Sequence, residues 1–319
     1  PIPDVIVPTA LEECDDDYNG ITSFNLTDKD IEILNGQTGI SVSYYELQED
    51  AESGDNPITD PYLNTTADGQ MVYVRLEDDA TACYATTTLE LIVNPIPEVI
   101  TPPVVEVCDD DYDGVGTFDL TSLDDTILNG QTGISVTYHQ SQEDADAGSN
   151  VLSSPFNNTS LDAQELIVRL ENNTTGCYAT TTQGLVVNPL AVIEVTDYEL
   201  CDYNNSGDMV EVFDITTKND EIIAGQNVIL SYFSSLSDSQ NNTNALSNAE
   251  LTSYSNSFAV SEEIFIRLEQ NATGCLTFGS FNVTVNPLPN VILNTDLVQC
   301  DIDDIQDGIS IYNLEEAAG

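Results

Sequence analysis

The residues best placed to do chemistry are carboxylates set at alternate positions around a glycine. Cys14-Asp15-Asp16-Asp17-Tyr18-Asn19-Gly20 and Cys108-Asp109-Asp110-Asp111-Tyr112-Asp113-Gly114 share the spacing D-x-D-x-[DN]-G. Alternate oxygen ligands around a tight glycine turn suit a hard cation such as Ca²⁺. The candidate ligands are Asp15, Asp17 and Asn19, and Asp109, Asp111 and Asp113, with Asn25 and Asp119 able to contribute from the next strand. Weaker versions follow at Asp202 and Asn204 and at Asp301, Asp303 and Asp307. The loops depart from an EF-hand, because Leu26 and Leu120 stand where a bidentate Glu is required. Asp, Asn and Gly also make turns without any metal. Two readings therefore stand: calcium loops whose clustered carboxylates share a cation instead of repelling, or acidic turns.

The cysteines recur in the same frame. Cys14 and Cys83, Cys108 and Cys177, and Cys201 and Cys275 are 69, 69 and 74 residues apart, and Cys300 opens a further set whose partner is expected past Gly319. Disulfides within each pair are the simplest account, and they imply an oxidising, extracytoplasmic setting. Zinc would need close cysteine pairs or histidines, and the chain has no C-x₂-C and one His.

Other chemistry is sparse. His139 falls where Tyr45 and Phe233 stand in the neighbouring copies, so it replaces an aromatic and is not a catalytic base. With one His, no Ser/His/Asp triad can recur. Carboxylate pairs are expected by chance among 56 acids, and no glycine-rich phosphate loop is present. The reading is that the chain is not an enzyme. Arg75, Arg169 and Arg267 occupy one strand position and read as ion pairs on an exposed sheet face, with a cross-strand carboxylate as partner. Tyr44, Tyr45 and Tyr138 read as strand packing, with sugar stacking as the rival. The formal charge is −51, from 5 Lys and Arg against 56 Asp and Glu. That excludes nucleic acid and anionic membrane surfaces as partners. No aliphatic run is long enough to insert in a membrane.

What must position these residues is a repeat. Leu34 to Val42 recurs unchanged as Leu128 to Val136, and Cys83 to Thr88 as Cys177 to Thr182, both 94 residues on. A divergent third copy keeps Ala224-Gly225-Gln226 and Ile266-Arg267-Leu268-Glu269, and the copies close on Asn94-Pro95, Asn188-Pro189 and Asn286-Pro287. The expected domains are residues 1–94, 95–188 and 189–286, with the start of a fourth at 287–319. Units of this size bury their own cores, and prolines stiffen the linkers. Val72, Val74 and Leu76 alternate with Tyr73, Arg75 and Glu77, and Leu89, Leu91 and Val93 alternate likewise, the pattern of a half-buried antiparallel sheet. The fold class is all-β: tandem immunoglobulin-like β-sandwich repeats of about seven strands each, joined by short Pro-containing linkers. One helical turn is expected at residues 28–34, with Thr27 as N-cap and Gly36 past its end.

These motifs together resemble a known family. The Pro-Ile/Leu-Pro opening, the acidic loop followed by Phe118-Asp119-Leu120-Thr121, the strand Val168 to Asn172, Gly176-Cys177-Tyr178-Ala179 and the closing Val285 to Pro289 are similar to repeats of the SprB-type gliding-motility adhesins, giant cell-surface proteins of Bacteroidetes. The resemblance covers the whole chain. It implies export by type IX secretion and surface display as filaments. It also implies contact with the secretion and motility machinery, and adhesion to surfaces or polysaccharide through the parent protein. The resulting expectation is an extracellular stalk whose nearest partners are neighbouring repeats. The alternatives are repeats that each bind carbohydrate, or accessory domains of a secreted hydrolase.

Overall fold

The alternation of Val72, Val74 and Leu76 survives as geometry: all three are fully buried on one face of a ten-residue strand. The computed structural model describes residues 1–205, 207–257 and 260–289. The chain divides into two compact units, Pro1–Pro189 and Leu190–Gly319. The first holds two copies of one fold and the second holds a third. Cys300, Asp301, Asp303 and Asp307 lie outside the described residues.

In the first repeat the elements are β1 (Leu11–Cys14), β2 (Ser23–Phe24), a 3-10 turn (Leu26–Lys29) leading into α1 (Asp30–Leu34), β3 (Ile40–Tyr45), α2 (Gln48–Ser53), β4 (Tyr62–Leu63), β5 (Gly69–Asp78) and β6 (Tyr84–Asn94). A four-stranded sheet runs β1-β6-β5-β3, and a two-stranded ribbon pairs β2 with β4. The edge strand β1 is parallel to β6, with Leu11 opposite Leu91, and the other pairings are antiparallel. The core lies between sheet and ribbon: Phe24, Leu26, Ile33, Val72, Val74, Leu76 and Leu89 are all fully buried. The order of β3, β5 and β6 is that of the C, F and G strands of an immunoglobulin sandwich. Among the described residues each repeat has six strands, against about seven expected.

The second repeat repeats this with β7 (Val105–Cys108), β8 (Thr117–Phe118), α3 (Asp124–Leu128), β9 (Ile134–His139), α4 (Gln142–Ala147), β10 (Phe156–Asn157), β11 (Ala163–Asn172) and β12 (Tyr178–Asn188). Its sheet is β7-β12-β11-β9 and its ribbon β8-β10. The third has β13 (Tyr198–Cys201), β14 (Val212–Phe213), α5 (Asn219–Ile223), β15 (Val228–Phe233), α6 (Leu236–Asn241), α7 (Asn248–Leu251), β16 (Tyr254–Ser255), β17 (Ser261–Gln270) and β18 (Leu276–Asn286). Its sheet is β13-β18-β17-β15 and its ribbon β14-β16. The described chain is a tandem array of immunoglobulin-like β-sandwiches.

Two local expectations change. The expected helical turn starts earlier, as a 3-10 turn, and Thr27 does not cap it; Asn25 before the turn makes no side-chain cap bond in the first repeat, whereas an aspartate caps the turn in the other two. Asp119 accepts a hydrogen bond from the Thr121 amide (3.1 Å) and Asp214 from the Thr216 amide (3.2 Å). The second helix of each repeat was not expected. It rests on the sheet through a small, fully buried residue, Ala51, Ala145 or Ser239, and small residues let helix and sheet approach closely.

That helix explains the arginines. Arg75 and Arg169 are buried, not exposed. The Arg75 guanidinium donates to the Ala51 and Glu52 carbonyls (both 2.9 Å), satisfying carbonyls that the end of α2 leaves open. Arg169 does the same for Ala145 (2.8 Å) and Asp146 (3.2 Å). Each also lies over an aromatic ring, Tyr84 at 3.6 Å and Tyr178 at 3.5 Å. The ion pairs exist, but with Glu77, Glu171 and Glu269 two residues along the same strand, not across it.

Candidate functional site at the joint between the first two repeats

Each acidic loop is closed by its own backbone. Asp15 is nearly buried and accepts the Asp17 amide on one carboxylate oxygen (3.1 Å) and the Gly20 amide on the other (2.9 Å). Asp17 then accepts from the Asn19 amide (3.2 Å), and Asn19 from the Ile21 amide (2.6 Å). Burial works against the Asp15 charge, but the amides of Gly20, Asp17, Asp16 and Asn19 together outweigh it and hold the carboxyl below its ordinary value. Asp109 does the same, through Gly114, Asp111, Tyr112 and Asp113. Gly20 has φ +74°, and a Cβ there would stand 2.8 Å from the Asp68 amide nitrogen, so the position accepts only glycine.

A buried asparagine completes the loop. Asn64 donates to the Gly20 (2.9 Å) and Thr66 (2.8 Å) carbonyls and accepts from the Thr22 amide (2.7 Å). Asn158 repeats this on Gly114, Ser160 and Gly116. Truncating such a side chain strands several buried backbone groups, at about 1–3 kcal/mol each.

The carboxylates of Asp15, Asp16 and Asp17 bring an oxygen each within 4.8 Å of one another, as do those of Asp109, Asp110 and Asp111. In the expected trio of Asp15, Asp17 and Asn19, each side chain also caps the backbone two residues on. The two loops differ at one position. Asn19 donates its amide to Asp17 (2.7 Å). Asp113 instead sets a second carboxylate beside Asp111. Burial first, then the Asp113 charge and a hydrogen bond shared with it, push the Asp111 carboxyl above its ordinary value. In the third repeat Glu211 takes over the capping, accepting from the Tyr203 and Asn204 amides and from the Asn204 side chain (2.7 Å). Asp202 accepts from Gly207 with one oxygen, and its other oxygen is buried without a partner.

The cysteines depart from expectation. Cys14 is bonded to Cys177, 163 residues away, with Cα atoms 5.6 Å apart. Cys83 and Cys201 are free, while Cys108 and Cys275 are disulfide-bonded. The within-repeat pairs Cys14–Cys83, Cys108–Cys177 and Cys201–Cys275 therefore do not form. The reason is positional: Cys14 ends β1, and the second repeat, not the first, brings its turn before β12 alongside.

Further contacts gather at this bridge. The Tyr18 hydroxyl, carried by the acidic loop, donates to the Pro97 carbonyl in the linker (2.8 Å). From the other side Gln131 accepts from the Glu98 amide (3.0 Å) and donates to the Glu98 carbonyl (2.9 Å). Gln37 holds Asp4, and Gln226 holds Val192, in the same two-bond way. A cleft of about 480 Å³ remains beside the bridge, lined by Asp15, Tyr18, Ile96, Val99 and Tyr178 among others. The linker is thus fastened to both repeats and the repeats to each other.

A bridge from one sandwich to the next agrees with the family model that matches the chain three times, at residues 10–97, 104–191 and 197–289: the Flavobacterium inter-domain disulphide bond domain, FIDD. The chain belongs to the FIDD family. Its bridged FIDD repeats are of an extracellular type, and no helix among the described residues is long and apolar enough to cross a membrane. No curated protein matches the chain. Among solved structures it is similar to a three-domain titin fragment (11% identity, 90% of this chain and 98% of that one, TM-score 0.33). It is also similar to a four-domain fragment of Drosophila N-cadherin (12% identity, 89% and 74%, TM-score 0.20). An endo-fucoidan hydrolase of glycoside hydrolase family 107 aligns at 12% identity, 89% and 43%, with a TM-score of 0.17. At these scores none of the three bears on activity or ligand.

The aromatics offered as sugar platforms are elsewhere. Tyr44, Tyr45 and Tyr138 are all buried, and His139 is buried at the position of Tyr45 and Phe233. His139 hydrogen-bonds Thr137 and the Ser149 carbonyl. The contacts of Tyr18, Asn64 and Gln131 join residues far apart in the chain, which local spacing does not reveal. The signal for Gln131 was present: a glutamine follows the same glycine in all three copies.

Proposed function

We propose that this chain is a non-catalytic stalk segment of a large cell-surface adhesin, serving gliding motility and surface attachment. The observation that carries the reading is the Cys14–Cys177 bridge, which needs an oxidising compartment and fastens one repeat to the next. A stalk needs joints that do not fold back, and this joint is held by a disulfide, a tyrosine and a glutamine. The terminal adhesive region, its polysaccharide or surface ligand, and type IX export belong to the parent protein on this reading. Calcium enters at the loop of the second repeat, where Asp110, Asp111 and Asp113 face solvent and no side-chain amide stands between Asp111 and Asp113. The cation would take their outward oxygens, since Asp109 is occupied by backbone amides. The test is labelling of intact cells with an antibody raised against the repeats. Labelling before lysis is expected, and labelling only after lysis refutes the reading.

A further inference from the structure

The bridge has a mechanical consequence, which rests on the stalk reading above. Load on a stalk travels along the shortest covalent path. Entering at Pro1, it reaches Cys14 at the end of β1, crosses one disulfide to Cys177, and leaves along β12. The residues between the two cysteines, a sequence separation of 163, are outside that path. They include β2 to β6 with most of the first core, the linker, and β7 to β11 with most of the second.

We propose that the Cys14–Cys177 bridge makes the first two repeats a tether of capped length, one that neither lengthens when its sandwiches unfold nor parts when its linker is cut. An unbridged chain yields about 3.5 Å per residue once a domain unfolds. The bypassed loop would release about 570 Å on that scale, and the bridge withholds all of it. Within-repeat disulfides would behave otherwise. A Cys14–Cys83 bond would withhold 69 residues, about 240 Å, and would leave the linker in the load path. Joining a repeat to its successor therefore protects the joint as well as the cores. The pinning of Glu98 by Gln131 and of Pro97 by Tyr18 then sets the orientation of the joint without having to bear tension.

The test is single-molecule stretching of the whole chain, held at its two ends, in a Cys108→Ser/Cys275→Ser background that retains Cys14, Cys83, Cys177 and Cys201. Reductant should lengthen the fully unfolded chain by about 570 Å. A gain near 240 Å, or none, overturns the proposal. If that background fails to fold, a specific-protease site placed in the linker of the otherwise native chain gives a second reading. After cutting, the two halves should migrate as one species on a denaturing gel without reductant and as two with it. Separation without reductant refutes the cap. Either negative leaves the surface-labelling result untouched, so the two readings fail separately.

Discussion

Replacing Cys14 by serine separates the observed pairing from its rival most cleanly. Cys14 is exposed, so serine disturbs no packing and the effect is that of the bridge. Constraining a loop of 163 residues stabilises by about 5 kcal/mol in the chain-entropy model, an upper value because denatured chains retain structure. A 69-residue loop would be worth about 4 kcal/mol, too close for magnitude alone to decide. The pattern across variants decides. Urea unfolding of the oxidised protein should show Cys14→Ser losing up to about 5 kcal/mol. In a Cys108→Ser/Cys275→Ser background, which removes the other disulfide-bonded cysteines, reductant should bring the parent to the same stability and leave the variant unchanged. Cys83→Ser, at a free thiol, should lie within about 0.5 kcal/mol of the parent. A Cys83→Ser variant as unstable as Cys14→Ser would refute the inter-repeat bridge.

Arg169→Met should cost about 2–3 kcal/mol in urea unfolding, because it strands the Ala145 and Asp146 carbonyls and removes the ion over Tyr178. Gln131→Ala, which releases both Glu98 bonds, should speed protease cleavage of residues 95–104 about fivefold, the effect of about 1 kcal/mol in local opening. Asp15 and Asp109 have folded carboxyls held below their ordinary value. Their stabilisation is complete above about pH 4 and disappears as the pH falls further, through the folded values. Asp109→Asn should therefore show a smaller fall in Tm between pH 5 and pH 2 than the parent. Calcium should raise Tm more than matched sodium salt, and Asp113→Asn, which restores the arrangement of the first loop, should abolish most of that rise.

The period-two alternation of Val72, Val74 and Leu76 and the 94-residue offset carried the fold, because burial on one sheet face and duplication are both written in the order of residues. The helix Gln48–Ser53 was illegible, since its six polar or small residues have no apolar stripe. Only the buried arginine on β5 gives it a reason to form. The arginines were misread for the same reason: a charge on an alternating strand looks solvent-facing until the covering helix is known. The cysteine pairing was unreadable on different grounds. Repeats of equal length place every first cysteine at a fixed distance from every second one, so within-repeat and between-repeat bonds satisfy the spacing equally. Only the position of the second sandwich beside Cys14 chooses. The acidic loop was legible as a turn, and its hydrogen bonds show what that turn does: it closes on itself and presents Tyr18 to the linker.

The charge and the bridge belong to one design. At −51 neighbouring repeats repel, but in physiological salt that repulsion dies away within about 8 Å. It can therefore keep surfaces from sticking without holding two sandwiches at a fixed angle. Contacts at the joint must supply the angle, and a surface with almost no basic residues cannot supply them as ion pairs. The joint accordingly uses interactions that need no positive charge. A tyrosine hydroxyl meets a carbonyl, a glutamine amide meets both polar groups of one linker residue, and a disulfide is indifferent to salt. Such a joint should hold from fresh water to brine. An ion-pair joint would weaken with salt, so linker cleavage by protease at low and high ionic strength distinguishes the two. Equal rates are expected, and a marked rise with salt would show that charge holds the joint after all.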